Sequence, residues 1–299
     1  MHCHGTIAGI YGRRAAEHLG IPAFYTAHDF RIYRGCLLPE RLGFGFLERR
    51  YSRCTQVMYT VCPEDGNYAK KHLHARTVIS LPDMGLDYER YAIPARSRDE
   101  VRAELRIPED ATVLLSVGTL RMQKRLRIVL QAMARLRDME QLHYVICGEG
   151  PDMAFLQKLI ANLRLQERVH LLGYRTDIPD LLGAADIFCM PSRREGCGIA
   201  ALEAMAAGLP LITVRSHGTR AYAVAGEGAF CLKGDMVNAC ADAIRQLDEN
   251  RLLRKQMGAH NRALAKEFAD ADTDRMMQLR EQYRLVLDKK AAADGEKTV

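Results

Sequence analysis

Two carboxylates stand eight residues apart in the segment Arg194-Glu195-Gly196-Cys197-Gly198-Ile199-Ala200-Ala201-Leu202-Glu203, directly after an apolar run that ends at Met190-Pro191-Ser192. That order predicts a strand, a short loop holding Glu195, and a helix that carries Glu203 in its second turn. Each carboxylate can accept a pair of hydroxyl hydrogens, which is the chemistry that grips a sugar or a ribose. Gly196 and Gly198 let backbone N–H groups approach an anion, and the helix N-terminus adds its dipole, so a diphosphate suits the same place. Taken alone, the residues read equally well as a solvated loop charge, turn glycines and a surface helix. A second group, His2-Cys3-His4, offers metal-ligating atoms. Alternation along a strand leaves only His2 and His4 on one face, and a closed site wants three or four ligands, so no metal is assigned there. Asp270-Ala271-Asp272 lies between terminal helices rather than after a strand and reads as solvent-facing.

The elements that must position these side chains follow from periodicity. From residue 113 onward, apolar runs of strand length alternate with helical patterns, as in a doubly wound parallel sheet. The runs are Val113 to Val117, Leu142 to Cys147, Val169 to Leu172, Asp186 to Met190, Leu211 to Val214 and Ala229 to Leu232. Lys124 to Arg137 places Leu126, Val129, Leu130, Met133 and Leu136 on one helical face, and the helix after Pro151 does the same with Leu156, Leu159, Ile160 and Leu163. Helices over 235–247 and 251–268 complete a Rossmann-like layer sandwich.

Before residue 90 the sheet is thinner. Ala23 to Ala27, Gln56 to Val61 and Thr77 to Leu81 read as strands, and Met1 to His4 as the stump of another. A full Rossmann domain would add upstream βα units, on the order of 70 residues, so the N-terminal domain is expected to lack its start. Pro82 to Arg98, with two prolines, Gly85 and no periodicity, reads as an interdomain hinge. The expected organisation is a partial Rossmann-like domain over 1–91, a complete one over 92–274, and a C-terminal helix, Arg275 to Lys289, before a frayed tail from Ala291.

Composition sets outer limits. With 299 residues, 48% hydrophobic and 27% charged, the chain has enough apolar material for two cores. Its net charge of +6 is spread out, and no nucleic-acid-binding motif accompanies it. The nine cysteines contain no Cys-x-x-Cys pair and several fall in strand-like runs, as buried thiols of a reducing compartment would. No apolar stretch spans a bilayer and no signal-peptide pattern opens the chain, so a cytoplasmic setting is expected.

Several fragments in fixed order give the chain its resemblance. They are Val117-Gly118 through Lys124, Cys147-Gly148-Glu149-Gly150-Pro151, Leu172-Gly173-Tyr174-Arg175-Thr176-Asp177, Ala185-Asp186-Ile187-Phe188, the paired-glutamate segment, and Ala206-Ala207-Gly208-Leu209-Pro210. Upstream stand His4-Gly5-Thr6-Ile7-Ala8-Gly9, Tyr25-Thr26-Ala27-His28 and Leu81-Pro82-Asp83-Met84-Gly85. Together they resemble the family-four retaining glycosyltransferases, in particular the branch that builds capsular and exopolysaccharides. The resemblance implies an α/β protein of GT-B type, with two Rossmann-like domains of parallel sheets, the N-terminal one (1–91) incomplete and on the acceptor side, the second (92–274) binding the donor, and the helix from Arg275 crossing back toward the first.

Position by position, the resemblance implies that Glu195 holds donor-sugar hydroxyls and Glu203 the ribose hydroxyls, while Tyr174 borders the base. Lys124 would neutralise the diphosphate leaving group, where charge accumulates as the glycosidic bond breaks. His28 would face the donor sugar. Gly118, Thr119, Gly148, Arg175, Gly196, Cys197, Gly198 and Ile199 would complete the donor site. Many relatives have Arg where this chain has Thr119; Arg121 or Arg125 would then supply a second phosphate cation, though both also read as solvated loop charges. Relatives usually have Gly after the histidine, and Asp29 stands there instead.

The implied function is transfer of a sugar from a nucleotide-diphosphate sugar, a UDP-sugar first of all, to a saccharide or lipid-linked saccharide, with retention and without metal or cofactor. Two alternatives stand beside it. One is a nucleotide-binding fragment or split subunit that needs a missing N-terminal segment; the other is a nucleotide-sugar epimerase, for which no extra acid–base side chains are in sight. Arg31 to Arg53 mixes apolar and basic residues. It reads either as a core-packed helix pair with a solvated basic face or as a surface that seats on the inner face of a membrane.

Overall fold

The computed structural model describes residues 1–32, 36–81, 85–216 and 218–295, with the side chains of 272–273 and 291–295 set aside. Contacts divide the chain into a first unit, residues 1–85 with 270–299, and a second unit, residues 86–269.

In the first unit β1 (His2–His4), α1 (Thr6–His18), β2 (Ala23–Ala27), α2 (Leu38–Ser52), β3 (Thr55–Thr60), α3 (Pro63–His72) and β4 (Thr77–Ser80) follow one another. The strands form a parallel sheet in the order β1-β2-β3-β4. Alternation along the strands sends Cys3, Tyr25 and Met58 to a core shared with Ala69 of α3, and Phe24, Val57 and Tyr59 to the other face. There they meet Leu279, Tyr283 and Val286 of the C-terminal helix. A fully buried ion pair ties α1 to α2: Arg13 donates to Glu48 at 2.8 Å, and the Tyr25 hydroxyl donates to the same carboxylate at 3.1 Å.

The second unit contains α4 (Tyr88–Ala92), α5 (Arg98–Glu104), β5 (Thr112–Val117), a 3-10 turn (Met122–Lys124), α6 (Arg127–Arg135), β6 (Leu142–Cys147), α7 (Met153–Leu163), β7 (Val169–Gly173), α8 (Ile178–Ala184), β8 (Ile187–Met190), α9 (Ile199–Ala206), β9 (Leu211–Thr213), β10 (Ala229–Cys231), α10 (Met236–Glu249) and the first part of α11 (Arg251–Gly295). Its six parallel strands run β10-β9-β8-β5-β6-β7. One core joins α6, α7 and α10 to the sheet, and the other joins α5, α8, α9 and α11. The apolar stripe read from the sequence is the buried one: Val129, Leu130 and Met133 of α6 are each 0% exposed.

Every expected strand is present to within one residue at either end. Helix limits differ more, and for local reasons. The helix expected from Lys124 begins only at Arg127, because Arg125 is left-handed (φ 54°) and interrupts it after the 3-10 turn. Residues 269–274, expected to separate two helices, continue one long helix; the stretch holds neither Gly nor Pro to stop it. The same helix includes the backbone of 291–295, where a frayed tail was expected. Residues 82–84 of the expected hinge lie outside the described residues, and the units part between Gly85 and Leu86. Tyr91, where the sequence placed the boundary, is helical within the second unit, behind the Asp87 cap whose side chain accepts from the Arg90 N–H at 3.3 Å.

Candidate active site

The sheet order places the first strand of the second unit between β6 and β8, so chain progression reverses direction there. Helices leave to opposite faces at such a switch point and open a crevice at the carboxyl ends of the two strands, here β5 and β8. Lys124 follows β5 and Glu195 follows β8. Their side chains meet, Lys124 Nζ lying 2.8 Å from Glu195 Oε1, with 24% and 11% of the side chains exposed. Two further bonds lock the loops together: the Arg193 N–H donates to the Gln123 carbonyl at 2.9 Å, and Gln123 Nε2 donates to the Arg194 carbonyl at 2.8 Å.

Glycine is required behind this pair. Gly118 has φ +146°, a conformation that side-chain-bearing residues rarely adopt, although a Cβ there would only touch Lys124 Cε at 3.4 Å. Gly148, at φ +135°, lies so close to the Gly118 backbone that a Cβ would sit 2.0 Å from the Gly118 carbonyl oxygen. The loops after β5 and β6 therefore stack with no side chain between them.

Beyond Glu195 the chain turns into α9 through Gly198, at φ 72°. The Tyr222 hydroxyl donates to the carbonyls of Cys197 (2.9 Å) and Gly198 (3.2 Å), and the Gly218 N–H donates to the Glu195 carbonyl at 3.2 Å. Gly196, Cys197, Gly198 and Ile199 are thus a braced entry to a helix N-terminus. Glu203 lies about 6 Å further along the α9 axis. Half-buried, it shares a hydrogen bond with the Tyr91 hydroxyl; burial pushes its carboxyl above the usual range, and burial followed by the Glu203 contact pushes Tyr91 up to about 12.

The other expected donor residues are placed less uniformly. Tyr174 is 74% exposed, and Thr119 is exposed as well. Arg175 is held by Asp177 at 2.5 Å and by Glu104 at 3.0 Å, contacts that raise its affinity for its proton. Arg121 and Arg125 line a separate depression with Arg127, Asp152 and Phe155, apart from the pocket that Lys124 and Gly118 line. His28 belongs to the first unit, where its Nε2 lies 3.2 Å from His4 Nδ1 and the two rings stack at 5.4 Å. Burial, then His4, holds the His28 imidazole below its ordinary range. Asp186 acts on the fold: at the start of β8 it accepts from Arg98 (2.7 Å), Arg102 (2.8 Å) and the Val113 N–H (2.9 Å).

Three contributors were not read from the sequence. Tyr91 was taken as hinge, Gln123 fell in the loop before the expected helix without being singled out, and Tyr222 was not singled out either. Each acts through a bond to a residue far along the chain, for which no local pattern exists. Among the described residues, no group of three or more His, Cys, Asp or Glu side chains is arranged to hold a metal ion.

A cation–carboxylate pair and a braced helix N-terminus at the switch point of a doubly wound sheet define a nucleotide-binding domain of Rossmann type. Residues 97–264, more than half of the chain, match the family model described as "Glycosyl transferases group 1". The chain belongs to that family and is a transferase of the GT-B fold. It is 29% identical over 280 residues to the putative glycosyltransferase EpsD of Bacillus subtilis, covering 91% of this chain and 73% of that protein. It is 28% identical over 260 residues to the UDP-Gal:alpha-D-GlcNAc-diphosphoundecaprenol alpha-1,3-galactosyltransferase of Escherichia coli, covering 85% and 67%. Among solved structures, Anabaena HepE in complex with UDP and glucose superposes with a TM-score of 0.82 at 19% identity, covering 94% of this chain and 78% of HepE. Sucrose-phosphate synthase from Thermosynechococcus elongatus gives 0.83 at 20% identity, covering 95% and 73%.

Proposed function

We propose that the chain transfers a sugar, with retention, from a UDP-sugar to a saccharide or lipid-linked saccharide. The observation that carries this reading is the Lys124–Glu195 pair at the β5/β8 crevice. A cation that borders a carboxylate can neutralise a departing diphosphate while its neighbour accepts hydroxyls of the sugar leaving it. The α9 N-terminus adds its dipole to the same charge, and Glu203, held by Tyr91, takes the ribose hydroxyls. His28 is assigned to the sugar on the family resemblance. Support for the uridine nucleotide comes from the E. coli relative, named for UDP-Gal, and from HepE, crystallised with UDP. Retention rests on the resemblance.

The test is thermal stabilisation by UDP, GDP and ADP, followed by transfer assays with radiolabelled UDP-glucose, UDP-galactose and UDP-N-acetylglucosamine and anomeric analysis of the product by NMR. Stabilisation by UDP alone and an α-linked product from an α-linked donor support the proposal. No stabilisation by any of the three diphosphates would overturn it.

The proposed setting is the cytoplasmic side of a membrane. All nine cysteines are free thiols, which suits a reducing compartment. Among the described residues no helix is long and apolar enough to cross a bilayer. Instead, α2 presents Leu38, Leu42 and Phe46 to solvent at 59%, 62% and 71% exposure, followed on the helix surface by Arg49 and Arg50. Such a stripe suits peripheral contact with anionic lipid. Co-sedimentation with phosphatidylglycerol vesicles, lost in a Leu42→Ser, Phe46→Ser double variant, is the expected result; equal sedimentation of the variant would contradict it.

A further inference from the structure

Ser192, two residues beyond β8, is 1% exposed, and its hydroxyl has no hydrogen-bond partner among the described residues. It lines a small pocket together with Gly118, Lys124, Leu126, Cys147 and Met190. A second serine on that pocket behaves differently. Ser116 Oγ lies 2.5 Å from the Cys189 carbonyl and 2.7 Å from the Tyr144 hydroxyl, so its hydrogen-bonding capacity is used inside the fold. The pocket offers about 10 Å³ to the centre of a water-sized atom, room for one oxygen and not for a sugar ring.

A hydroxyl taken out of water without a partner destabilises the folded chain, and Ala or Cys would fill the same space without that cost. Apart from Ser192 and the Lys124 ammonium, the side chains around it are mainly apolar. A hydroxyl so placed beside a cation is set to donate to an anionic oxygen, and a phosphate oxygen is the one that Lys124 would also draw in.

We propose that Ser192 is a donor-binding residue whose hydroxyl donates a hydrogen bond to an oxygen of the terminal phosphate of the nucleoside diphosphate. This rests on the reading of the second unit as a nucleotide-sugar site, and adds to it a neutral ligand for the phosphate that keeps the charge when the sugar leaves.

The experiment is calorimetric titration of the full chain, its Ser192→Ala and Ser192→Cys variants, and Glu203→Ala, with UDP and with UMP, alongside the melting temperature without nucleotide. Ser192→Ala is expected to melt no lower than the parent and to bind UDP roughly tenfold more weakly, with UMP binding unchanged. Ser192→Cys, nearly isosteric but a weak donor, should lose UDP affinity in the same way. A lower melting temperature with UDP affinity intact would make the hydroxyl structural and overturn the proposal, as would equal losses for UDP and UMP. If Glu203→Ala weakens UDP while Ser192→Ala does not, the nucleotide-sugar reading stands and this inference alone falls. A parent chain that binds no UDP removes both.

Discussion

Replacing Glu195 with glutamine keeps the size of the side chain and removes the charge that Lys124 faces, so it separates two contributions that most disabling variants merge. At 2.8 Å, the attraction between the two groups is roughly 6 kcal/mol at an effective dielectric of about 20, before desolvation and side-chain ordering are subtracted. Exposed pairs retain less than about 1 kcal/mol of this, whereas breaking a buried pair costs about 3–5 kcal/mol. With side chains 24% and 11% exposed, the Lys124–Glu195 pair belongs between them, at about 1.5 kcal/mol. UDP, which has no sugar for Glu195 to hold, must draw Lys124 away against that attraction. Glu195→Gln is therefore expected to bind UDP up to about tenfold more tightly than the parent. The same variant should lose about 10²-fold in kcat/KM with a UDP-sugar, because the carboxylate that accepts the sugar hydroxyls is gone. Isothermal titration with UDP, paired with initial rates, reads both. Parallel losses of UDP affinity and turnover would refute the reasoning, since they would mean that Glu195 holds the nucleotide itself.

Other outcomes follow from single neighbours. Lys124→Met should lower kcat by about 10²-fold while the melting temperature moves little, as measured by single-turnover kinetics and calorimetry. Asp186→Asn leaves the buried Arg102 guanidinium without its counter-ion and should destabilise the chain by about 3 kcal/mol in urea, with UDP affinity unchanged. Burial, reinforced by His170, Arg168 and Arg102, pushes His143 from its usual 6.5 down to about 4. The folded state thus resists a proton that the unfolded chain accepts. The stability that goes with a neutral His143 is complete above pH 6.5 and drains away as the pH falls toward 4, by about 3 kcal/mol. His143→Gln should flatten the urea midpoint between pH 7.5 and 4.5, and a midpoint as acid-sensitive as the parent's would count against it.

Strands were legible because their apolar runs are short, β-branched and bounded by glycine or proline, as at Leu142–Cys147 before Gly148. The alternation of those runs with helical patterns pointed to a doubly wound sheet with Glu195 just beyond one strand, whereas the strand order that brings β5 beside β8 is a structural finding and Lys124 entered only through the family resemblance. The direct contact of Lys124 and Glu195 was not legible either, because it joins loops that are distant in the chain. Helix limits failed where one backbone angle decides them. Arg125 in a left-handed conformation shifts Lys124 from a helix onto a turn, and an arginine gives no warning of that. Arg175 shows the opposite limit: its place beside Tyr174 fits the donor motif, yet Asp177 and Glu104 engage its guanidinium. Tyr91 was hidden because its role is to hold Glu203, a bond between α4 and α9 that no spacing within either helix encodes.

The most direct test of the donor site is a crystal structure of the chain soaked with UDP. The ribose hydroxyls should lie within hydrogen-bond distance of Glu203 and the terminal phosphate beside Lys124 Nζ, at the carboxyl ends of β5 and β8. A ribose that sits away from α9, with Glu203 still bonded only to Tyr91, would contradict the account.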